Sequence, residues 1–439
     1  MTDCPAAPAP PRSVRQRIRR TIRIGWPVLI VAAALLAPLA WEWLSGRTLV
    51  HRDSAMVFAP QRWLAGTALR ALRLPLWNPY AGTGMPFLAQ TMHGVLHPLS
   101  IAVAFAFPGD GLDPLLGAYV LAAGMGAAAL ARCLGASWLA STAAAFAFGL
   151  SGYTLSMTGF LVHLAGAASL PWMVAGPLLA ARERTPSGFA AGAVCVAACS
   201  LSGDVEVLVV GGLLGLCFAY EAARLPGLVR AVASAGAGAL LAGVQLVPSW
   251  SFFRISSRAQ ALSADELKQW ALSPWRLVEL AAPGFFSPPH AQPMSRIYLA
   301  LGGPTAFGAP FARSIFVGAP VLVLAAFALR SSRRTRLLGA SAAALAWVAL
   351  GHHLGAQQLL SMVPMVQGFR YSEKLVGPLV LCLSSLAALG IDRLAAEPAL
   401  ARRAARVTAG LAAAAAVAWL AVAAAHRPAG ASAPPRALL

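Results

Sequence analysis

The sequence is poor in charged residues. Only 11% of its 439 residues are charged, whereas 58% are hydrophobic and the mean hydropathy is +0.68. Water-soluble domains carry about 25% charged residues, so this chain has too little polar surface to cover a soluble globule of its size. The composition therefore predicts an integral membrane protein, which uses the bilayer as its solvent.

Acidic residues are scarcer still. The chain has 15 Asp and Glu residues against 34 Lys and Arg residues, and its formal net charge is +19. Such a charge is found in nucleic-acid-binding proteins, but also in membrane proteins with basic cytoplasmic loops. Because the chain is so hydrophobic, we assign the charge to loops and to contact with anionic lipid, and we predict no nucleic-acid partner.

The spacing of cysteine and histidine contains no recognisable metal-binding motif. Cys195 and Cys199 are four residues apart, but no histidine or acidic residue accompanies them at metal-ligand spacing. His93 and His97 have HxxxH spacing, yet a glycine lies between them and a proline follows them. The sequence therefore predicts buried apolar thiols and two polar loop histidines rather than a structural zinc site.

Long apolar runs divide the chain into transmembrane segments. The N-terminal tail, residues 1–21, is basic, and the run Ile22–Leu44 after it is long enough to cross a bilayer. This favours a first transmembrane helix with a cytoplasmic N-terminus over a cleavable signal peptide. Ten further spans, which make eleven in all, are predicted near residues 113–132, 137–152, 162–181, 187–202, 205–222, 228–249, 313–330, 336–351, 374–394 and 406–425.

The short loops between these spans are rich in arginine. In the eleven-span arrangement they all fall on the cytoplasmic side, as the positive-inside rule requires. The agreement depends on the run Pro98–Phe107, which at about ten residues is re-entrant or interfacial and does not cross. The arginines are Arg132, Arg182, Arg184, Arg224, Arg230, Arg330, Arg333, Arg334, Arg336, Arg393, Arg402, Arg403 and Arg406.

This arrangement leaves two long loops at the outer face, about residues 47–113 and 249–313. Loops of this length in a compact protein are usually functional. The main transmembrane domain then covers residues 22–396, and residues 397–439 form the last span and a short C-terminal tail.

The first outer loop begins with a predicted surface helix and continues as an irregular segment. The helix pattern sets apolar residues against Arg62, Arg70 and Arg73, which is typical of a helix lying on a membrane. The segment RLPLWNPYAGTGMPFLAQ then contains three prolines and two glycines. Its Trp77 and Tyr80 offer flat faces to a sugar ring or to the membrane interface, and its Asn78 offers hydrogen bonds; alternatively the segment only braces the surface helices.

Asp53 stands out among the few acids at the outer face. It follows the first span closely, and two basic residues, His51 and Arg52, precede it. A carboxylate held at the membrane surface can act as a general base on an acceptor hydroxyl or bind a divalent metal. The position also suits a solvated loop acid or the N-cap of a surface helix, so the residues alone leave these alternatives open.

Arg370 and Lys374 form a second candidate group, in the segment FRYSEK before the tenth span. Their spacing of four predicts one helix face, at the outer side, where neither the positive-inside rule nor the helix dipole favours cations. A phosphate in the headgroup layer would offset this cost, through a bidentate arginine contact and the lysine charge. Pairing with Glu373, or with lipid headgroups without further function, is the alternative.

Two more polar pairs lie at predicted outer ends of spans. Asp204 and Glu206 occupy a tight turn, where they either join Asp53 around a common pocket or simply mark a turn in water. Gln245 and Arg254 end the seventh span, where they either face a polar substrate or cap and anchor the helix.

Several short motifs also occur in a distinctive order. An aspartate follows the first span, then come LPLWNPYAGTGMPFLAQ, HPLS, QLVPSW, SSR, APGFF and FRYSEK, and the span after FRYSEK ends in LAALGIDRL. This order, from about residue 22 to 396, resembles the YfhO family of bacterial membrane proteins, within the GT-C class of integral-membrane glycosyltransferases. The stretch LPLWNPY is its most specific part. Many members of that family have a longer C-terminal part than this chain, so the resemblance does not identify the acceptor.

The resemblance implies an all-α polytopic fold of about eleven transmembrane helices, GT-C-like, with short interfacial helices in the outer loops. It also implies transfer of a sugar from a polyprenyl-phosphate donor to an envelope glycan or lipid acceptor, at the outer face of the cytoplasmic membrane. The catalytic acid would be Asp53, with a divalent metal, Mg or Mn, left open. The substrate-binding candidates are Arg370, Lys374, Trp77, Asn78, Tyr80, Gln245, Arg254, Asp204 and Glu206.

Two other classes of protein share this general composition. A transporter or flippase of lipid-linked or small solutes would carry charges in mid-span and an internal repeat, and neither is visible in the sequence. A non-catalytic assembly partner would keep the fold without the chemistry, and the presence of Asp53 argues against it.

Overall fold

The computed structural model describes residues 14–49, 53–259, 268–284, 310–360 and 369–425, together with residues 263, 266 and 362. Over these residues the chain is almost entirely helical, which confirms the all-α prediction. Parts of the predicted N-terminal tail, of the second outer loop and of the C-terminal tail lie outside the described residues.

The helices are α1 Val14–Leu44, α2 Ala59–Arg70, α3 Pro98–Ala106, α4 Leu112–Leu134, α5 Trp138–Gly149, α6 Gly152–Ser156, α7 Leu161–Arg182, α8 Pro186–Ser200, α9 Val205–Leu241, α10 Gly243–Ile255, α11 Ala319–Ala328, α12 Arg333–Ala349, α13 Ala356–Leu360, α14 Val376–Ala396 and α15 Pro398–Ala425.

Two short strands form a hairpin in the first long connection. Strand β1 (Trp77–Asn78) pairs antiparallel with β2 (Met85–Pro86). Gly84, just before β2, has a φ of +96°, and a Cβ atom there would lie 2.6 Å from Nε1 of Trp77. Only glycine therefore permits both this backbone conformation and the packing of the indole against it.

Four helical segments are long and apolar enough to cross a membrane. By length and composition they are Leu112–Leu134, Leu161–Arg182, Val205–Leu241 and Ser372–Ala396, among the described residues. These segments support a membrane-associated protein. The remaining predicted spans are helical as well, but they are shorter or less uniformly apolar, so the count of eleven crossings stays a prediction.

Helix α9 shows where the predicted boundaries succeed and where they fail. Ala223 and Arg224 have non-helical backbone angles, which separates the predicted spans 205–222 and 228–249 as expected. A further break at Ala242, between α9 and α10, falls inside the predicted span 228–249. The predicted span 228–249 therefore consists of two helical segments in the structure.

The core of the bundle is built around α7. Most of this helix is buried, and it packs against α4, α8 and α9. Small residues permit the close approach: a Cβ atom at Gly215 of α9 would lie only 3.0 Å from the carbonyl oxygen of Met173 in α7. Close packing through small residues is the usual way in which helices associate in membranes.

Basic short connections gather at one end of the bundle, which we call the basic end. Arg334, at the start of α12, donates to Glu221 (Nε–Oε2 3.1 Å) and to the carbonyl oxygen of Leu134 at the end of α4 (2.6 Å). Arg393, near the end of α14, donates to the carbonyl oxygen of Phe327 in α11 (2.7 Å). Loops predicted to share one side of the membrane are thus neighbours in the structure.

The long connections gather at the opposite end, which we call the loop end. The backbone of Gly203, between α8 and α9, lies directly against the carbonyl oxygen of Thr91 in the first long connection. The hydroxyl of Tyr153 in α6 donates to the carbonyl oxygen of Lys374 (3.0 Å), just before α14. The loop end therefore brings the first long connection and the residues that precede α14 against the same helix ends.

Candidate functional site

A cluster of acidic and basic side chains lies at the loop end, where α7, α9 and the segment before α14 meet. We call it the charge centre. Its five members all sit at helix ends, and three of them belong to the first turn or the N-cap of α7 and α9. They are His163, Asp204, Glu206, Arg370 and Lys374.

Asp204 and His163 form a buried acid–base pair. Oδ2 of Asp204 lies 2.8 Å from Nδ1 of His163, and only 3% of the aspartate side chain is exposed. Because an ionised carboxylate only accepts, Nδ1 carries the proton and Nε2 is left as the basic nitrogen of the ring. His163 is not among the residues predicted from the sequence. Its position in the first turn of a predicted span, at the same membrane face as Asp204, was the signal that could have found it.

Helix α9 holds Asp204 in place. The aspartate is its N-cap, and Oδ1 accepts a hydrogen bond from the backbone N–H of Val207 at 3.3 Å. Burial raises the pKa of Asp204, but the charge and hydrogen bond of His163, the charge of Lys374 and the Val207 bond together bring it below its usual value. Asp204 is therefore ionised, and it orients the ring of His163.

Glu206 joins the two cations that the sequence singled out. Its Oε2 lies 2.6 Å from Nζ of Lys374, and its Oε1 accepts the backbone N–H of Arg370 at 3.1 Å. The guanidinium of Arg370 turns outward to Glu266, with Nη2 and Oε1 2.9 Å apart. The carboxylates of Glu206 and Glu266 therefore offset the electrostatic cost of placing two cations near the start of a helix. Glu373, the partner considered from sequence, pairs with Arg276 instead.

Arg370 and Lys374 do not share a helix face as predicted. Tyr371 between them has a φ of +63°, the left-handed region, and Ser372–Leu375 form a 3₁₀ turn before α14 begins. The prediction of one helical face is therefore wrong, and the two cations meet through Glu206 rather than through helical spacing.

Aromatic rings wall the charge centre. The ring of Phe311 lies edge-on to His163 with centroids 5.2 Å apart, and it stacks with Phe160 at 5.5 Å. Tyr371 stacks on Phe311 at 5.9 Å, and its ring lies 5.1 Å from Nζ of Lys374. These rings lower the local polarity, which strengthens every charge interaction in the centre.

Among the described residues, no hydrogen bond or ion pair joins Asp53 to this cluster. The π-helical turn that follows it, Ser54–Phe58, has buried first and last residues, and before it the backbone N–H of Leu49 donates to Asp113 at 3.1 Å. The carboxylate of Asp53 is exposed and makes no hydrogen bond to the turn that follows it. Among the described residues Asp53 does not contact Asp204 or Glu206, so its carboxylate faces outward from an anchored segment.

The remaining predicted binding residues divide into exposed and structural ones. Trp77 and Tyr80 are 54% and 77% exposed, which leaves their rings accessible. Asn78 is buried and its Oδ1 accepts from the backbone N–H of Tyr80 at 2.9 Å, so it holds the turn. Gln245 is also buried and donates to the carbonyl oxygen of Leu88 at 2.5 Å, whereas Arg254 is exposed at the end of α10.

Within the described ranges, no three His, Cys, Asp or Glu side chains are arranged to hold a metal ion. We derive no chemical step through a metal.

His93 and His97 sit beside one another but not on one helix face. His93 stacks on Phe87 with centroids 4.2 Å apart, Gly94 after it is left-handed, and Nδ1 of His97 accepts from the backbone N–H of Leu99 at the start of α3. Burial, with a smaller contribution from the charge of Arg62, lowers the pKa of each histidine to about 4. Both are therefore neutral at pH 7.

This pKa depression predicts a loss of stability in acid. The folded pKa of His97 is about 4 against 6.5 for the free residue, so its contribution is fully present above pH 6.5 and is lost as the pH falls towards 4. His97→Asn keeps an N-cap and removes the titration, and it should spare about 2 kcal/mol of that loss by about pH 5. Thermal unfolding of both proteins between about pH 7 and about pH 5 measures it. Equal acid sensitivity of the two proteins would contradict this assignment.

Comparison with models of known protein families finds no match, and no curated protein sequence matches the chain.

Proposed function

We propose that the protein is an integral-membrane glycosyltransferase. It moves a sugar from a polyprenyl-phosphate donor to a cell-envelope glycan or lipid at the outer face of the cytoplasmic membrane. The observation that carries the proposal is the composition of the loop end, where an outward-facing carboxylate, Asp53, accompanies two cations, Arg370 and Lys374, that carboxylates hold in place. The resemblance of the motif order to the YfhO family supports the same reaction.

In the proposed reaction Asp53 takes the proton of the acceptor hydroxyl. The acceptor oxygen forms a bond to the anomeric carbon as the bond from that carbon to the carrier phosphate breaks, and the phosphate leaves as an anion. Lys374 and Arg370 stabilise the charge that develops on the phosphate, in the manner of other cationic clamps. Before the donor binds, Glu206 and Glu266 pair with the two cations. When it binds, phosphate oxygens replace these carboxylates as the partners of Lys374 and Arg370.

The surroundings suit a sugar attached to a lipid. Trp77 and Tyr80 expose flat rings on the first long connection, which also contacts the turn before Asp204 through Thr91 and Gly203. Exposed aromatic faces pack against sugar rings and also favour the membrane interface.

The arrangement of charges argues against the transporter alternative. In the four candidate spans the Asp, Glu, Lys and Arg residues cluster near the helix ends or, in α9, near the break at Arg224. A solute pathway would instead place charged side chains in mid-span. Uptake of lipid-linked or small solutes into proteoliposomes, without sugar transfer, would favour the transporter.

The proposal places the loop end outside the cell and the basic end in the cytoplasm, because arginine-rich short loops remain inside. A cysteine introduced at Ala81, in the first long connection, should react with a membrane-impermeant maleimide in intact cells. A cysteine introduced at Ser187, beside the basic end, should react only after the membrane is opened. The reverse pattern would overturn the orientation; the native thiols are replaced beforehand.

The two cations give a quantitative test of the donor site. Arg370→Lys keeps the charge but loses the planar fork that fits two phosphate oxygens. The loss of a charged hydrogen bond, about 1.5–3 kcal/mol, should raise the apparent KM for the donor roughly ten- to hundredfold. The backbone N–H of Arg370 still reaches Glu206 in this variant, and Lys374→Arg should be milder.

Donor and acceptor titrations of the purified variants in nanodiscs measure this effect. Arg393→Lys, at the basic end, is the matched control and should behave as the wild type. A wild-type donor KM in Arg370→Lys, or an equal rise in the KM for the acceptor, would exclude a phosphate contact and leave the pair as headgroup anchors.

A further inference from the structure

Arg62 is a buried cation in α2, contrary to the expectation that it lies on the polar face of a surface helix. Only 2% of the residue is exposed. Its Nη2 donates to the carbonyl oxygen of Ser100 in α3 at 3.1 Å, but its Nε and Nη1 have no hydrogen-bond partner among the described residues. Arg70, two turns further along α2, is by contrast only half-buried and donates to two carbonyl oxygens of the α3 region.

No described carboxylate forms an ion pair with Arg62. Asp110 is near enough to favour its charge, but it does not make a salt bridge. A buried ion without a counter-ion costs several kcal/mol, so the folded protein should contain a compensating group at this position.

Asp110 and the hydroxyl of Tyr119 favour the charge of Arg62 without a hydrogen bond to it, and the other groups nearby add positive potential or hydrogen-bond donors. Ser100 belongs to the first turn of α3, whose N-terminal end carries the positive pole of the helix dipole. Nδ1 of His93 is buried without a partner, and the hydroxyl of Tyr119 is within hydrogen-bond distance of Oγ of Ser100 (3.1 Å). Neutral imidazole and hydroxyl groups can each donate a hydrogen bond to an oxyanion.

We propose that Arg62, His93 and Tyr119 form a binding site for a phosphate group, supplied by an anionic lipid headgroup or by free phosphate. The arginine provides the charge, and the imidazole and hydroxyl provide neutral donors. The opposite face of the same segment exposes Met56 and Trp63, which suits contact with the headgroup layer of a membrane. Arg62 and His93 belong to the first long connection and Tyr119 belongs to α4, and the site does not depend on the proposed sugar transfer.

The test uses the full chain, purified in a maltoside detergent that is free of phospholipid. Inorganic phosphate and phosphatidylglycerol are the two probes, and sodium chloride at equal ionic strength is the control. The readout is the thermal unfolding temperature, which rises when a ligand binds only the folded state. The variants are Arg62→Met, which removes the buried charge, and Arg70→Met, which removes a hydrogen-bonded charge from the same helix.

We expect the ligand to raise the unfolding temperature of the wild type and of Arg70→Met by roughly 5 °C near saturation. Arg62→Met should show no such rise. Without ligand Arg62→Met should be at least as stable as the wild type, because an apolar side chain replaces an unpaired buried charge. If inorganic phosphate raises the unfolding temperature, free phosphate is sufficient to occupy the site. If only phosphatidylglycerol raises it, the ligand is the lipid headgroup.

Two results would overturn the site. One is a wild-type protein that responds to neither probe, which would mean that water alone fills the space beside Arg62. The other is an equal response in Arg62→Met. If Arg62→Met does not fold, native mass spectrometry of the wild type and Arg62→Lys replaces it, and a wild-type protein that retains neither anion contradicts the proposal. Neither readout uses a sugar donor, so failure here is separate from failure of the proposed reaction.

Discussion

Replacing Arg276 with methionine is expected to cost the folded protein about 3–5 kcal/mol, the usual penalty for removing one partner of a buried ion pair. Arg276 is fully buried, and its Nε lies 2.7 Å from Oε2 of Glu279 while its Nη1 contacts Glu373. Both glutamates are at most 1% exposed. The variant therefore leaves two buried carboxylates without their guanidinium.

The same group fixes the backbone beside the charge centre. Nη2 of Arg276 donates to the carbonyl oxygen of Ala312 at 2.8 Å, and Glu373 accepts the backbone N–H groups of Phe311 (3.3 Å) and Ala312 (3.1 Å). Phe311 is the ring that packs against His163. We therefore expect the loss of Arg276 to loosen one aromatic wall of the charge centre as well.

Unfolding in detergent measures the effect of Arg276→Met. Arg47→Met is the control, because the pair of Arg47 with Glu42 is exposed and its removal should cause no measurable change. Adding Glu279→Gln and Glu373→Gln to Arg276→Met removes the two buried carboxylate charges and should restore part of the stability. Wild-type stability of Arg276→Met would show that this network contributes nothing to the fold.

Asp53→Asn is expected to lower the rate of sugar transfer at least about a hundredfold, since general-base catalysis contributes roughly 10²–10⁴-fold. The substitution keeps the size of the side chain and removes its charge. Because the carboxylate is exposed and makes no hydrogen bond to the turn that follows it, the variant should insert and unfold as the wild type does.

Asp204→Asn is the informative comparison for Asp53→Asn. It should disturb the orientation of His163, to which Asp204 is bonded at 2.8 Å, and it should change the pH dependence of the rate. If Asp53→Asn retained more than about half of the activity while Asp204→Asn lost it, Asp53 would be a loop acid and the Asp204–His163 pair would be the base.

The helical architecture could be predicted from the sequence, because long hydrophobic runs indicate segments that lie in lipid and loop arginines indicate segments that lie in water. Predicted neighbours such as the loops around Arg334 and Arg393 do meet at one end of the bundle. The boundary at Ala242 was not predicted although Gly243 follows it directly, because single glycines also occur inside the other predicted spans.

The partners within the site could not be derived from the sequence. Glu206 and Lys374 are 168 residues apart, so their pairing depends on how α9 and α14 pack rather than on local spacing. The left-handed Tyr371 is also unpredictable, because only a few non-glycine residues adopt that conformation and tertiary contacts select it. Arg62 shows the same limit: its helical pattern predicts a polar face, whereas packing against α3 buries it.

The central claim is that the loop end of the bundle transfers sugar from a lipid carrier. Its most direct test is a transfer assay with the purified protein in proteoliposomes, supplied with a radiolabelled polyprenyl-phosphate sugar and a bacterial envelope extract. The account predicts that label leaves the carrier and appears in the extract in proportion to the wild-type protein, and that the Asp53→Asn protein gives the background of empty liposomes. A carrier that keeps its label at every protein concentration, in liposomes where the protein is folded and inserted, would contradict it.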